Sequence, residues 1–227
     1  MDKEACPIFF RQYFPFWDKL TSSEQEILCA ATNAYTYEKG ENVHGTGGCT
    51  GVIVIESGVL RGYLLSEEGK EVTLFRAYPG EVILLSAPCA LRQEGISFDL
   101  MIDAEEASKL LIVAGDAYSR VTAQNIYAEN FTLRAAASRL SDAVWVTQQI
   151  LFMRFDRRLA AFLLEESARQ GRKLSLTHDQ IARYLSSARE VVTRMLRYFT
   201  SEKLIRQGRG TIEILDAEKL KELAEGK

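Results

Sequence analysis

The chain has 227 residues, with 28 Lys/Arg against 31 Asp/Glu for a formal net charge of −3, and 47% of it is hydrophobic. That length and balance suit one large or two ordinary globular domains and exclude a chain too polar to bury a core. No apolar run approaches the ~20 residues of a membrane span and no basic-then-apolar leader opens the sequence, so a cytoplasmic protein without membrane contact is expected.

Residues 7–10 and 22–28 read as short helical pieces. Cys6, Cys29, Cys49 and Cys89 are scattered, with no Cys-x-x-Cys pair, and are expected to be ordinary reduced thiols. From residue 35 to about 112 the chain is rich in Val, Ile, Leu, Tyr and Phe, broken every eight to twelve positions by turn residues. Examples are Glu38-Lys39-Gly40-Glu41, Thr46-Gly47-Gly48, Ser57-Gly58, Glu67-Glu68-Gly69-Lys70 and Tyr78-Pro79-Gly80. That spacing predicts a small antiparallel barrel or sandwich. Residues 59–65 and 71–75 read as one of its hairpins.

At Asp116 the period changes from two to 3.6. A short helix over 117–122 precedes a long one over 125–153. Along the latter, Ile126, Asn130, Leu133, Ala137, Leu140, Val144, Thr147 and Leu151 recur at alternating spacings of four and three. This is a seam suited to a twin helix, in which Asn130 would fix register and Ala137 would allow close approach. Tyr127, Phe131 and Trp145 lie off the seam and are expected to cover the chain's own β-domain. Asp156 reads as the N-cap of a helix over 157–169 that stops at Gly171.

Residues 174–215 predict two short helices and a two-stranded wing. Thr177 and Gln180 have capping-box spacing, and Ile181 and Leu185 face inward. Ser186 and Ser187 interrupt the pattern. A second helix starts near Ala188, burying Val191, Val192, Met195, Leu196 and Phe199 at spacings of three and four. Its outward face is Arg189, Glu190, Thr193, Arg194 and Arg197. Of these, Arg189, Glu190, Thr193 and Arg194 are candidate contacts to base edges, since Arg pairs with guanine, Glu with cytosine and Thr with either. Thr177, Ser187, Arg183, Arg197, Arg206 and Arg209 are candidate phosphate contacts. Residues 204–207 and 211–214 form the wing, turning at Gly208-Arg209-Gly210, where glycine permits positive φ. Residues 216–226 read as a charged surface helix. Charge is segregated: residues 157–214 carry +6 and residues 1–156 carry −8, so a near-neutral total hides a basic module fit for a polyanion.

These motifs together resemble the CRP/FNR superfamily of bacterial transcription regulators. Arg189-Glu190-Val191-Val192-Thr193-Arg194 fits the Arg-Glu-x-x-x-Arg of its recognition helix, and Ser57-Gly58, Glu68-Gly69-Lys70-Glu71 and Pro79-Gly80-Glu81 match its marked turns. Ser186 stands where the family commonly has glycine, which calls for a turn tolerant of the left-handed region. The resemblance implies an α+β protein with an N-terminal cupin-like antiparallel β-roll, a long dimerisation helix and a C-terminal winged helix-turn-helix. It divides the chain into a sensor domain 1–115, a dimerisation segment 116–155 hinged at the Phe-rich joint 152–155, and a DNA-binding domain 156–227. It implies a regulator and not an enzyme: a homodimer reading inverted half-sites similar to TGTGA in double-stranded DNA, with RNA polymerase open as a further partner.

The resemblance also frames the effector. Aligned on Pro79-Gly80-Glu81, the family's ribose-holding pair falls on Leu84-Leu85 and its phosphate-clamping arginine on Ile96, before Ser97; Arg92 would serve only with another loop geometry. Apolar side chains cannot neutralise a buried phosphate, which argues against cyclic AMP. Leu84, Leu85, Cys89 and Ser97 are the candidate pocket residues, with Cys89 the candidate redox or effector contact. An iron–sulfur cluster needs clustered cysteines, which are lacking. A haem ligand has only His44 with Cys49 to draw on, and a cupin metal centre would need more histidines than His44 and His178, so no metal is expected. The alternative is a small-molecule-binding module whose winged helix serves protein contacts, against which the basic recognition face argues.

Overall fold

The computed structural model describes residues 5–45, 50–84 and 100–226. The chain divides into two compact units, Met1–Leu65 with Leu74–Ala143 and Ser66–Thr73 with Val144–Lys227.

The first unit opens with α1 (Ala5–Tyr13), a 3-10 turn (Trp17–Lys19) and α2 (Ser22–Ala30). Thr21 caps α2 through a reciprocal box with Glu24, closing orphan amides of the first turn. The expectation of four ordinary thiols is corrected here: Cys6 of α1 and Cys29 of α2 form a disulfide, with Cα atoms 5.9 Å apart. A sequence separation of 23 leaves no local signature; the fold-back of α1 on α2 creates the pair.

Among the described residues eight strands follow: β1 (Thr32–Tyr37), β2 (Asn42–His44), β3 (Val52–Ser57), β4 (Leu60–Leu65), β5 (Glu71–Ala77), β6 (Val82–Leu84), β7 (Leu100–Ala104) and β8 (Ser108–Val113). They form two four-stranded sheets, β1-β8-β3-β6 and β2-β7-β4-β5. In the first sheet β3 and β8 are apolar on both faces and are buried with little alternation, whereas β1 at the edge is mostly exposed. Ile53, Ile55, Ile83, Leu110 and Ile112 meet Leu60, Leu100 and Ile102 of the second sheet. Val52, Val54, Leu84, Leu111 and Val113 meet Phe10, Phe14, Trp17 and Leu28 of the helices. The period-two geometry of a strand assigns each residue to one layer or the other.

Helix α3 (Gly115–Thr122) leads into α4 (Ile126–Phe152), 27 residues long. Asn125 Oδ1 accepts from the amides of Tyr127 and Ala128 at 3.1 and 3.3 Å, which closes the first turn of α4. Ala128 and Thr132 are buried, and Phe131 packs beside Phe14 and Phe16. Tyr127 and Trp145 were expected to cover the β-domain as well, yet they are 54% and 59% exposed. The cover on α4 lies instead at Ala128, Phe131, Thr132 and Ala135.

The second unit contains α5 (Phe155–Gln170), β9 (Lys173–Leu174), α6 (His178–Tyr184), α7 (Arg189–Ser201), β10 (Ile205–Gly208), β11 (Thr211–Ile214) and α8 (Ala217–Glu225). Helix α5 starts earlier than expected: Arg154 is the N-cap, and Asp156 lies in the first turn, where its carboxylate accepts from the Arg157 amide at 2.9 Å. A carboxylate there also opposes the positive end of the helix dipole. The wing has three strands in the order β10-β11-β9, not two. Gly208 pairs with Thr211 as the last ladder residue, and only Gly210 of the turn takes positive φ, +68°. The final helix is no loose surface element, because Leu220 is fully buried in the core with Leu159, Leu163 and Phe199. Among the described residues, no helix is long and apolar enough to cross a membrane.

Candidate nucleic-acid interface

The interface begins with the cap of α6. Thr177 Oγ1 accepts from the Gln180 amide at 3.2 Å, and Gln180 Oε1 accepts from the Thr177 amide at 2.8 Å. Helix α6 ends in a Schellman motif: the Ser187 amide donates to the Ala182 carbonyl at 2.9 Å and the Ser186 amide to the Arg183 carbonyl at 3.3 Å. Ser186 occupies the left-handed position with φ +49°, as its place in the turn required. The guanidinium of Arg158 on α5 donates to the Leu185 carbonyl, satisfying one of the orphan acceptors at the helix end. Burial lowers the Arg158 pKa from its ordinary value.

Helix α7 follows after the four residues 185–188. Val192, Leu196 and Phe199 are buried against Ile181, Leu159 and Leu163, so the opposite stripe must face out. Arg189, Glu190, Arg194 and Arg197 are all exposed. Thr193 is half-buried, and its hydroxyl lies 2.9 Å from Nδ1 of His178, which ties the start of α6 to the middle of α7. Arg189 Nη1 stands 3.4 Å from Oδ2 of Asp179, the acidic residue in the first turn of α6. The hydroxyl of Thr177 is engaged by its own capping box, and Ser187 is half-buried.

The wing is positioned by a second Schellman turn. The amide of Leu204 donates to the Phe199 carbonyl at 2.9 Å and that of Lys203 to Thr200 at 3.1 Å, with Lys203 at φ +60°. Arg206 is exposed and pairs with Glu213 across the hairpin at 3.1 Å, while Arg209 sits exposed at the tip beside Gly210, and Arg183 is exposed on α6. The unit therefore presents Arg183, Arg189, Arg194, Arg197, Arg206 and Arg209 to solvent on α6, α7 and the wing. Sequence reasoning missed Arg158, His178 and Asp179. Only Asp179 left a signal, as an acid in a first helical turn.

The other expected sites lie in several places. Ile126, Asn130, Leu133, Ala137, Leu140, Val144, Thr147 and Leu151 are all exposed along α4. Leu84 belongs to the layer under the helices and not to the space between the sheets. Leu85, Cys89, Arg92, Ile96 and Ser97 lie outside the described residues, as does Cys49. His44 ends β2 with Nδ1 2.6 Å from the Thr50 hydroxyl, and burial lowers its pKa. Among the described residues, no group of three or more His, Cys, Asp or Glu is placed to hold a metal.

Residues 157–223 match the Crp-like helix-turn-helix domain. A crystal structure from Eubacterium rectale, described as a regulator of the CRP/FNR family, is 39% identical and superposes with a TM-score of 0.87 over 94% of this chain and 99% of its own. The transcriptional regulator SdrP of Thermus thermophilus is 37% identical over 95 residues, 39% of this chain and 47% of SdrP, so that match spans about half of that relative. The cyclic AMP receptor protein of the same organism is 26% identical over 215 residues, 93% of this chain and 97% of that protein. A β-roll, a long helix and a winged helix-turn-helix, in a fold shared over nearly the whole length of a relative 39% identical, place this chain in the CRP/FNR family of DNA-binding transcription regulators.

Proposed function

We propose that the protein acts as a homodimer paired along α4, reads an inverted-repeat DNA site through α7, and is controlled by a small effector or a redox signal received in its β-domain. Residues 1–115 would sense, 116–155 would pair and 156–227 would bind DNA, with RNA polymerase as a further partner. The carrying observation is the row of eight seam residues on α4, all exposed in the single chain while Ala128 and Thr132 on another side are buried. Leaving Leu133, Leu140, Val144 and Leu151 in water forfeits the ~25 cal/mol per Å² that burial of their apolar surface returns. Pairing the two helices recovers it. The basic stripe then occurs twice, related by the dimer axis, and suits two inverted half-sites.

Cyclic AMP is not the effector under this reading, because Leu85 and Ile96 bring no charge to the positions that would hold its phosphate. The test is a gel shift with an inverted repeat of TGTGA-like half-sites, run on protein whose mass is checked by light scattering. Arg183, Arg197, Arg206 and Arg209 contacting phosphate imply that affinity falls about tenfold or more between low and moderate salt. A monomer at micromolar concentration, or a response flat in salt, defeats the proposal.

A further inference from the structure

The disulfide between α1 and α2 stands where it can act on α4. Phe10 of α1 stacks on Phe14 and on Trp17, each with centroids 5.1 Å apart. Phe14 and Phe16 then meet Phe131 of α4 at 5.9 and 5.3 Å. From α2, the Glu24 carboxylate accepts from Asn125 Nδ2 at 3.3 Å, and Asn125 is the residue that closes the first turn of α4. The two helices joined by the disulfide thus both reach the start of the same long helix. Apart from this bond and its apolar contacts, α1 has an ion pair between Arg11 and Asp18, with both side chains mostly in water, where such pairs add little.

We propose that Cys6 and Cys29 are a reversible thiol–disulfide site, exchanged by low-molecular-weight thiols of the glutathione class, whose state sets how firmly the aromatic cluster holds the first turns of α4. Its regulatory meaning rests on the reading of α4 as the pairing helix. Cys6 is fully buried and Cys29 partly exposed, so the entering thiolate attacks Cys29 Sγ. The Cys29–Cys6 bond breaks, and Cys6 leaves as a thiolate that takes a proton. A second thiolate attacks the outer sulfur of the mixed disulfide, releasing Cys29 and the oxidised small disulfide. Two electrons and two protons pass to the protein pair. The reverse sequence, driven by the oxidised small disulfide, restores the bond. Opening it removes the cross-link between α1 and α2 and lets α1 loosen from Phe131.

The full chain is equilibrated in reduced or in oxidised glutathione, trapped with N-ethylmaleimide and mapped by peptide mass, with amide hydrogen exchange measured in parallel. Oxidised buffer is expected to yield the linked Cys6–Cys29 peptide, and reduced buffer both alkylated cysteines. Exchange over residues 5–13 and 126–135 is expected to rise roughly threefold or more on reduction. The Cys6→Ala/Cys29→Ala chain should exchange at the faster rate in both buffers; the wild-type comparison needs no substitution and decides even where that variant misfolds. Alkylation of both thiols in oxidised buffer overturns the proposal, and so does a linked peptide with unchanged exchange at 126–135. Failure of the wild type to bind DNA in either buffer would instead remove the regulator reading and leave the thiol result standing.

Discussion

The guanidinium carbon of Arg139 lies 4.7 Å from the centre of the Phe75 ring, which joins helix α4 to strand β5. Arg139 is held there by Asp142 at 3.1 Å and Glu81 at 3.4 Å. The same ring presses on Gly62 of β4, where an added Cβ would stand 2.3 Å from Phe75 Cζ. A cation over an aromatic face adds about 0.5–1 kcal/mol at a partly exposed site, and the missing side chain at position 62 gives the ring its place.

Gly62→Ala should therefore overpack the β-domain. A loss of about 1–3 kcal/mol is expected, read from the urea midpoint of the full chain. Combining it with Phe75→Leu should recover part of the loss, since the smaller side chain vacates the contested space. Equal midpoints for wild type and Gly62→Ala would show that the ring moves aside freely.

Ser186 and Lys203 hold left-handed backbone with φ +49° and +60°. Side chains with a Cβ resist that region and glycine does not. Ser186→Gly and Lys203→Gly should each stabilise the winged-helix unit by about 1 kcal/mol. Thermal melts of the two single variants and the double variant check both the sign and the additivity.

Those turns also show what the sequence made legible. Thr177 with Gln180, the run from Val192 to Phe199 and the interruption at Ser186 located α6, the turn and α7, because caps and helical periods are local properties of the chain. The long helix α4 was legible for the same reason. The Cys6–Cys29 pairing, the two-residue strand β9 against β11, and Arg158 reaching the Leu185 carbonyl were not. Each depends on segments that meet only after folding, so no spacing announces them. Leu220 misled differently: a short charged helix reads as surface until the core that receives its one leucine is known. Residues 85–99, which carry most of the candidate effector pocket, lie outside the described residues.

Leu140 is 66% exposed on the α4 seam. Leu140→Glu should leave the fold intact and convert a dimer to a monomer, since pairing would bury two unpaired carboxylates face to face. Light scattering gives the mass and circular dichroism the fold. A variant that remains dimeric removes Leu140 from the interface.

Glu190 and Arg194 share the exposed stripe of α7. If Glu190 accepts from a cytosine amine, Glu190→Ala relaxes selection at one base pair by ~1–3 kcal/mol while sequence-independent affinity persists. Sites selected from a random DNA pool by wild type and variant give the comparison. Identical preferences would reduce Glu190 to a surface partner of Arg194, worth a few tenths of a kcal/mol.

Burial holds His44 below its ordinary pKa of 6.5. The unfolded chain therefore takes up the proton first as pH falls, so stability is full above about 6.5 and declines below it towards the lower folded value. In His44→Gln the drop in urea midpoint between about pH 7.5 and about pH 5.5 should be smaller. An unchanged drop would assign the slope to other groups.

Asp179 carries a consequence for how this surface meets DNA. Its carboxylate on α6 stands beside Arg189 of α7 at 3.4 Å, so an anion approaching Arg189 meets a competitor already in place. Any phosphate that takes the guanidinium must displace the carboxylate or lie near it, and like charges in proximity repel. On the proposed reading of α7, loose electrostatic adhesion to arbitrary DNA would be curbed at the point where α6 and α7 converge. A ligand that grips Arg189 by directional hydrogen bonds suffers less from that brake than a diffuse ion atmosphere does. On that reading the positive total of the winged-helix unit would overstate its stickiness, and Asp179 would tip the surface towards selectivity.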